Sequence, residues 1–166
     1  MKLEGKLVET FATKAAYYRL GLKLSTHTIA EVIAWADAEI DLQADSPIDL
    51  LELAVMQNAR PLDVASQLGR MCGRVSPLEV VTAVLARAHE LLTAHPSFGP
   101  TLARGIYQLY AEYSDEIPND LSSMCSFEGL YALARAEIYG TVEALDRELL
   151  EFTAQFQDAR NFSAES

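Results

Sequence analysis

Among 166 residues this chain has no lysine after position 23, one tryptophan, two cysteines and three histidines. Each scarcity excludes something. Cys72 and Cys125 lie far apart, with no CxxC and no histidine at ligand spacing, so no disulfide framework or zinc site is expected and both should be reduced structural thiols. His27, His89 and His95 form neither HExxH nor HxxxH, and none has a Glu three residues before it. That removes the zincin pattern and the Glu-x-x-His signature of di-iron bundles. No GxSxG elbow, GxxxxGK[ST] phosphate loop or GxGxxG stands anywhere in the chain. No 18 apolar residues run together, and the start, "MKLEGKLVETFATKAAYY", has no continuous apolar stretch. Neither a membrane span nor a signal peptide is therefore expected. These absences together predict a non-enzymatic cytoplasmic protein that needs no cofactor and no metal.

What is abundant is negative charge. The net charge is −11 and the pI about 4.6, which disfavours nucleic acid and anionic membranes because both would repel the chain. The excess is uneven. Residues 1–30 carry five basic and two acidic groups, whereas residues 31–70 carry two against eight and residues 111–166 three against twelve. Two acidic regions of this kind serve solubility alone, or they attract a basic protein partner.

Helical spacing runs along nearly the whole length, and strand alternation is absent. Three phrases, "SPIDLLELA" at 46–54, "RPLDVASQL" at 60–68 and "SPLEVVTAV" at 76–84, repeat one helix opening. Pro47, Pro61 and Pro77 suit a first helical position, where a missing N–H costs nothing. Ser46 and Ser76, with Asp49 and Glu79 three residues on, form capping-box patterns. Arg60 lacks that chemistry, so the middle helix should be the least sharply begun. A first helix is read from Leu3 through Leu7, Phe11, Ala15 and Tyr18 to Leu22, ended by Gly21 to Ser25. A second, begun by Thr26 or Thr28, turns Ile29, Val32, Ile33, Ala36 and Ile40 inward. Further helices follow at about 97–113, from Phe127 to a closing Gly140, and after Thr141, with "SDEIPNDLSS" at 114–123 as the clearest loop. Gly69 and Gly73 have the spacing that lets two helices approach. The expectation is an all-α single domain over 1–160, seven or eight helices in an orthogonal or irregular array, with 161–166 as a frayed tail.

Two groups of side chains stand out as candidate partner contacts. On the second helix Glu31, Trp35 and Glu39 stack at i, i+4 and i+8, with Trp35 some 120° away from the aliphatic face and Asp41 and Asp45 close by. Trp35 either packs under a neighbouring helix or is a half-exposed anchor with an acidic rim. In "YQLYAEYSDEIPND", Tyr107 points off the inner face while Glu112, Asp115, Glu116 and Asp120 gather at the helix end and loop. That loop lacks the D-x-D-x-D-G order of a calcium-binding EF-hand.

The stretch "YYRLGLKLSTHTIAEVIAWADAEI", residues 17–40, resembles the opening of small acidic all-α proteins encoded beside bacterial polymorphic or contact-dependent toxins, in which a "YRLGL" helix end leads into "EVIxWAD". The resemblance implies an immunity protein, a cytoplasmic inhibitor that binds and blocks one cognate toxin. It brings no set of binding residues with it. The competing expectation is a structural or adaptor protein acting through self-association, with Trp35 and the tyrosines in a homodimer interface.

Overall fold

A computed structural model describes residues 10–159, save the side chains of Asp120 and Ala159. The expected tail at 161–166 and the leucines at 3 and 7 lie outside the described residues. Within them the chain is all-α, with no strand. The elements are α1 (Phe11–Lys23), α2 (Ile29–Leu42), α3 (Ile48–Ala54), α4 (Pro61–Gly69), α5 (Pro77–Ala94), α6 (Gly99–Tyr113), a single turn α7 (Asn119–Ser122), α8 (Phe127–Arg135) and α9 (Val142–Ala154). Short 3-10 turns occupy Pro96–Phe98, Ser123–Ser126 and Gln157–Ala159.

The longest helix, α5, is the centre of the array. Ser76 begins it with a reciprocal capping box to Glu79, as its sequence predicts, and Pro77 sits at its start. Its buried positions, Val80, Val81, Ala83, Val84, Leu85, Ala86, Ala88, His89 and Leu92, cover more than one face, which is what a helix packed from several sides requires. α1 and α9 both pack on it; α4 packs on α1, α3 on α2, and α8 on both α6 and α9. The buried side chains form one continuous hydrophobic cluster. His89 helps join α9 to α5: its Nδ1 lies 3.0 Å from Thr153 Oγ1 and 3.2 Å from the Leu150 carbonyl. Since the Thr153 hydroxyl itself donates to that carbonyl, the geometry suits an imidazole protonated at Nδ1.

Several helix boundaries differ from expectation, each for a local reason. α1 starts at Phe11, because Thr10 has extended backbone (φ −91°, ψ 159°) and accepts the Thr13 N–H. In α3 Pro47 is the cap residue and Ser46 makes no cap bond, so α3 has the barest start of the three. At α4 Arg60 instead forks onto Asp63 with bonds of 2.9 and 3.1 Å, an exposed pair that secures the first turn. The α2 start is the Thr28 and Glu31 capping box. The region 114–123 is not all loop, since it includes α7 and the start of the following 3-10 turn.

The glycines divide differently from their expected roles. α1 ends within the expected stretch, at Lys23, but Gly21 itself lies inside the helix, where a Cβ would overlap the His27 imidazole. The chain turns at Ser25 (φ 60°), where the Thr26 N–H reaches the Gly21 carbonyl and the Ser25 N–H that of Leu22, the paired bonds of a Schellman motif. α8 likewise ends five residues before Gly140, with Glu137 (φ 57°) in the left-handed position and the Ile138 N–H returning to Leu133. Gly69 faces the Arg19 side chain where α4 meets α1, while Gly73 (φ +56°) makes a turn.

Candidate functional site

Trp35 is not a half-exposed anchor. It is 8% exposed, held between two aromatic rings of α1: Tyr18 stacks on it at 5.0 Å between centroids and Phe11 lies at 5.6 Å, tilted by 30°. Its indole N–H donates to Glu39 Oε1 at 3.2 Å, and the same oxygen accepts Lys14 Nζ at 3.3 Å. Glu31 is equally occupied. One carboxylate oxygen accepts the Thr28 N–H at 2.7 Å, and the other takes Arg87 of α5 at 3.1 Å. The stack expected as a surface rim is thus an internal brace joining α1, α2 and α5. Periodicity within α2 sees only its aliphatic side, whereas the cover over Trp35 comes from residues seventeen and more positions earlier.

His27 belongs to the same seam. Its ring meets Tyr17 edge-on at 4.8 Å and Tyr18 at 5.3 Å, with Nδ1 3.0 Å from Thr26 Oγ1. Burial lowers its pKa to about 4, Glu31 opposing and Arg87 adding to the effect. Burial, then Tyr17 and the Glu31 and Glu39 carboxylates, push the Tyr18 phenol up to about 12. These groups are held neutral by packing. Cys72 is similar: its thiol donates to the Leu68 carbonyl and burial raises its pKa, which removes thiolate reactivity.

Asp41 and Asp45, by contrast, are exposed at the end of α2 and in the link to α3, and their carboxylates make no ion pair or hydrogen bond among the described residues. In the second group Asp115 and Glu116 are exposed and equally free, on a turn after which Ile117, and Leu121 of α7, line a small apolar gap with Val81, Leu85 and Ile106. Tyr107 is 48% exposed, as its position on α6 predicts. Glu112 pairs with Lys23 at 3.4 Å, and with Gln108 the two help wall a groove of about 260 Å³ between the end of α1, α4 and α6, otherwise lined by apolar groups such as Leu20, Leu62 and Leu109. The side chain of Asp120 lies outside the described residues. The fold does not merge the two groups: α2 packs chiefly on α3, and α6 on α8 and the turn at 123–126.

One surface feature escapes the sequence reading. Leu42, Ile48, Leu51 and Val55 are 81, 66, 43 and 75% exposed, four of the nine large exposed hydrophobics among the described residues and all within fourteen positions. Ile48, Leu51 and Val55 recur at i, i+3 and i+7, while Leu50 and Leu53 on the other side of α3 are fully buried. The signal was present: a seven-residue helix apolar on both faces has one more apolar face than a surface helix needs. Among the described residues no three side chains of metal-ligating type cluster, and no helix is long and apolar enough to cross a membrane. Compared with protein-family models, curated proteins and solved structures, the chain matches none.

Proposed function

We propose that this chain is a non-catalytic inhibitor of the immunity type, which binds one basic toxin in the cytoplasm and blocks it by covering its substrate cleft. The observation that carries the reading is how its carboxylates are employed. Glu31, Glu39, Glu112 and Asp63 are each engaged by a cation of the same chain, while Asp41, Asp45, Asp115 and Glu116 face solvent without a partner among the described residues. Exposed carboxylates without a partner among the described residues, these four together with others such as Asp37, Glu143 and Glu148, steer a basic partner during encounter. A nuclease is the toxin class that fits best, since a cleft that holds phosphates must be basic. The resemblance of residues 17–40 to immunity proteins points the same way.

The test is co-expression with the product of the gene preceding its own. The chain should form a complex with it and restore growth. Association should slow markedly between low and physiological salt, because the Debye length falls from ~30 Å at 0.01 M to ~8 Å at 0.15 M. Asp41→Lys with Asp45→Lys, or Asp115→Lys with Glu116→Lys, should lower the association rate. Absence of a complex, or salt-independent association with both reversals silent, refutes the proposal.

A further inference from the structure

We propose that the outer face of α3 is where a protein partner docks, and that the partner presents apolar side chains flanked by lysine or arginine. This rests on the reading of the chain as a binder of a basic protein and names the surface that does the binding. Ile48, Leu51 and Val55 form one exposed stripe, and Leu42 ends the helix that packs on α3. Solvent contact of four large apolar side chains so close together is the composition of an interface core and is unfavourable on a free surface.

Charge states what kind of molecule covers it. From residue 24 to 59 there are seven acidic residues and not one lysine or arginine. Of these, Glu31 and Glu39 are turned inward to Arg87 and Lys14, and Asp49 and Glu52 meet Arg70 at 3.9 Å. Asp37, Asp41 and Asp45 are left exposed and without a partner among the described residues. The exposed charges of α2 and of its link to α3 are therefore all acidic, while among the described residues the one cation that meets α3, Arg70, comes from the end of α4. An apolar segment with an acidic flank of its own would be repelled, and one with a basic flank gains on both counts. The groove beside Lys23 and Glu112 is the weaker candidate, because its own ion pair already satisfies its charged walls.

The probe is a synthetic amphipathic helix of about 14 residues carrying leucine at i, i+3, i+4 and i+7 and lysine elsewhere, the apolar spacing of a groove-binding helix. A control peptide replaces every leucine by serine at the same charge. The full chain should bind the leucine peptide saturably, with amide shifts centred on residues 48–55 in ¹⁵N spectra. Ile48→Ser with Val55→Ser should weaken binding roughly tenfold or more, and Ile138→Ser with Tyr139→Ser, exposed apolar groups beyond α8, should leave it nearly unchanged. Both serines replace exposed groups, so the melting temperature should hold, and Leu42→Ser serves as a second variant. Equal binding of the serine peptide, or an unchanged affinity in the double variant, overturns the proposal. So does concentration-dependent dimerisation that the double variant abolishes, which would make a second copy the occupant. A gain in affinity from Leu3→Ser with Leu7→Ser overturns it too, in favour of the chain's own first residues. If the double variant still captures the co-expressed toxin, this surface is wrong and the inhibitor reading stands. If the peptide binds as described and no toxin complex forms, the surface stands and the inhibitor reading falls.

Discussion

Trp35→Ala should behave as a core mutation and not as the loss of a binding hot spot. The substitution removes an indole that is 8% exposed, unstacks Tyr18 at 5.0 Å and Phe11 at 5.6 Å, and leaves Glu39 Oε1 without the N–H now 3.2 Å away. Truncating a buried Trp to Ala costs ~3–5 kcal/mol. Each aromatic pair contributes ~0.5–1.5 kcal/mol beyond area burial, and that contribution is partly contained in the first figure. Glu39 keeps Lys14, so its carboxylate is not stranded and adds no large penalty of its own. We therefore take ~3–5 kcal/mol as the whole loss, a large part of the ~5–15 kcal/mol that holds a domain together. At roughly 2–4 °C per kcal/mol for a chain of this size, the melting temperature should fall by roughly 6–20 °C, and the urea midpoint should fall with it. Trp35→Phe keeps an aromatic ring in the stack but loses the N–H bond and part of the indole's buried volume, so its cost should fall between that of the lost bond, ~1 kcal/mol, and that of Trp35→Ala. The assay is urea unfolding followed by circular dichroism, since removing the only Trp removes the fluorescence reporter. A Trp35→Ala protein melting within about 2 °C of the parent, a loss under ~1 kcal/mol, would refute the packing described for α1 and α2.

Gly21→Ala should destabilise although it improves helix propensity, because the new Cβ overlaps a His27 ring fixed by Tyr17 and Tyr18; overpacking of this kind costs ~1–3 kcal/mol against a propensity gain of ~1. Gly129→Ala, in α8 with nothing within 4 Å of its Cβ, should instead raise stability by up to ~1 kcal/mol, and equal signs for the two in thermal unfolding would contradict the contact geometry. Glu137→Gly should stabilise by ~0.5–1 kcal/mol, by relieving a left-handed residue (φ 57°) at the end of α8; a lower melting temperature would speak against the Schellman geometry there. His27 is lowered from 6.5 to about 4, so the unfolded chain binds the extra proton first, and stability present above pH 6.5 should be lost as pH falls toward 4, by up to ~3 kcal/mol. His27→Phe should flatten that slope in urea titrations between pH 7 and 4, and parallel curves for parent and variant would exclude the assignment.

Fold class was legible because it depends on local signals that agree. Caps at Ser76 and Thr141 sit where the sequence predicts them, Thr28 is one of the two starts it offers for α2, and each is bonded. What was not legible depends on residues distant in sequence. Gly21 reads as a terminator in isolation, and only the return of His27 against it shows that space is its function. Gly140 invited a helix end, yet α8 stops earlier at a Glu in a conformation that glycine prefers, a choice no propensity rule makes. Trp35 was placed by its angle on α2, correctly as a direction, but which helix covers that direction is a tertiary fact.

The same distinction sorts the acidic residues, and here it bears on function. An acidic sequence by itself does not separate carboxylates that build the fold from those left for something else. Glu31 caps α2 and holds Arg87, Glu39 takes Trp35 and Lys14, and Asp146 accepts the buried Tyr131 hydroxyl at 2.6 Å. Removing any of these strands a donor, so their loss should register as lost stability. Asp41, Asp45, Asp115 and Glu116 strand nothing, and charge reversal there should leave the melting temperature nearly unchanged or raise it by easing self-repulsion. A surface group whose removal costs the fold nothing is free to be used on a partner. Asp41 and Asp45 stand out within that set because they alone precede the apolar face of α3, where steering charge and contact area meet.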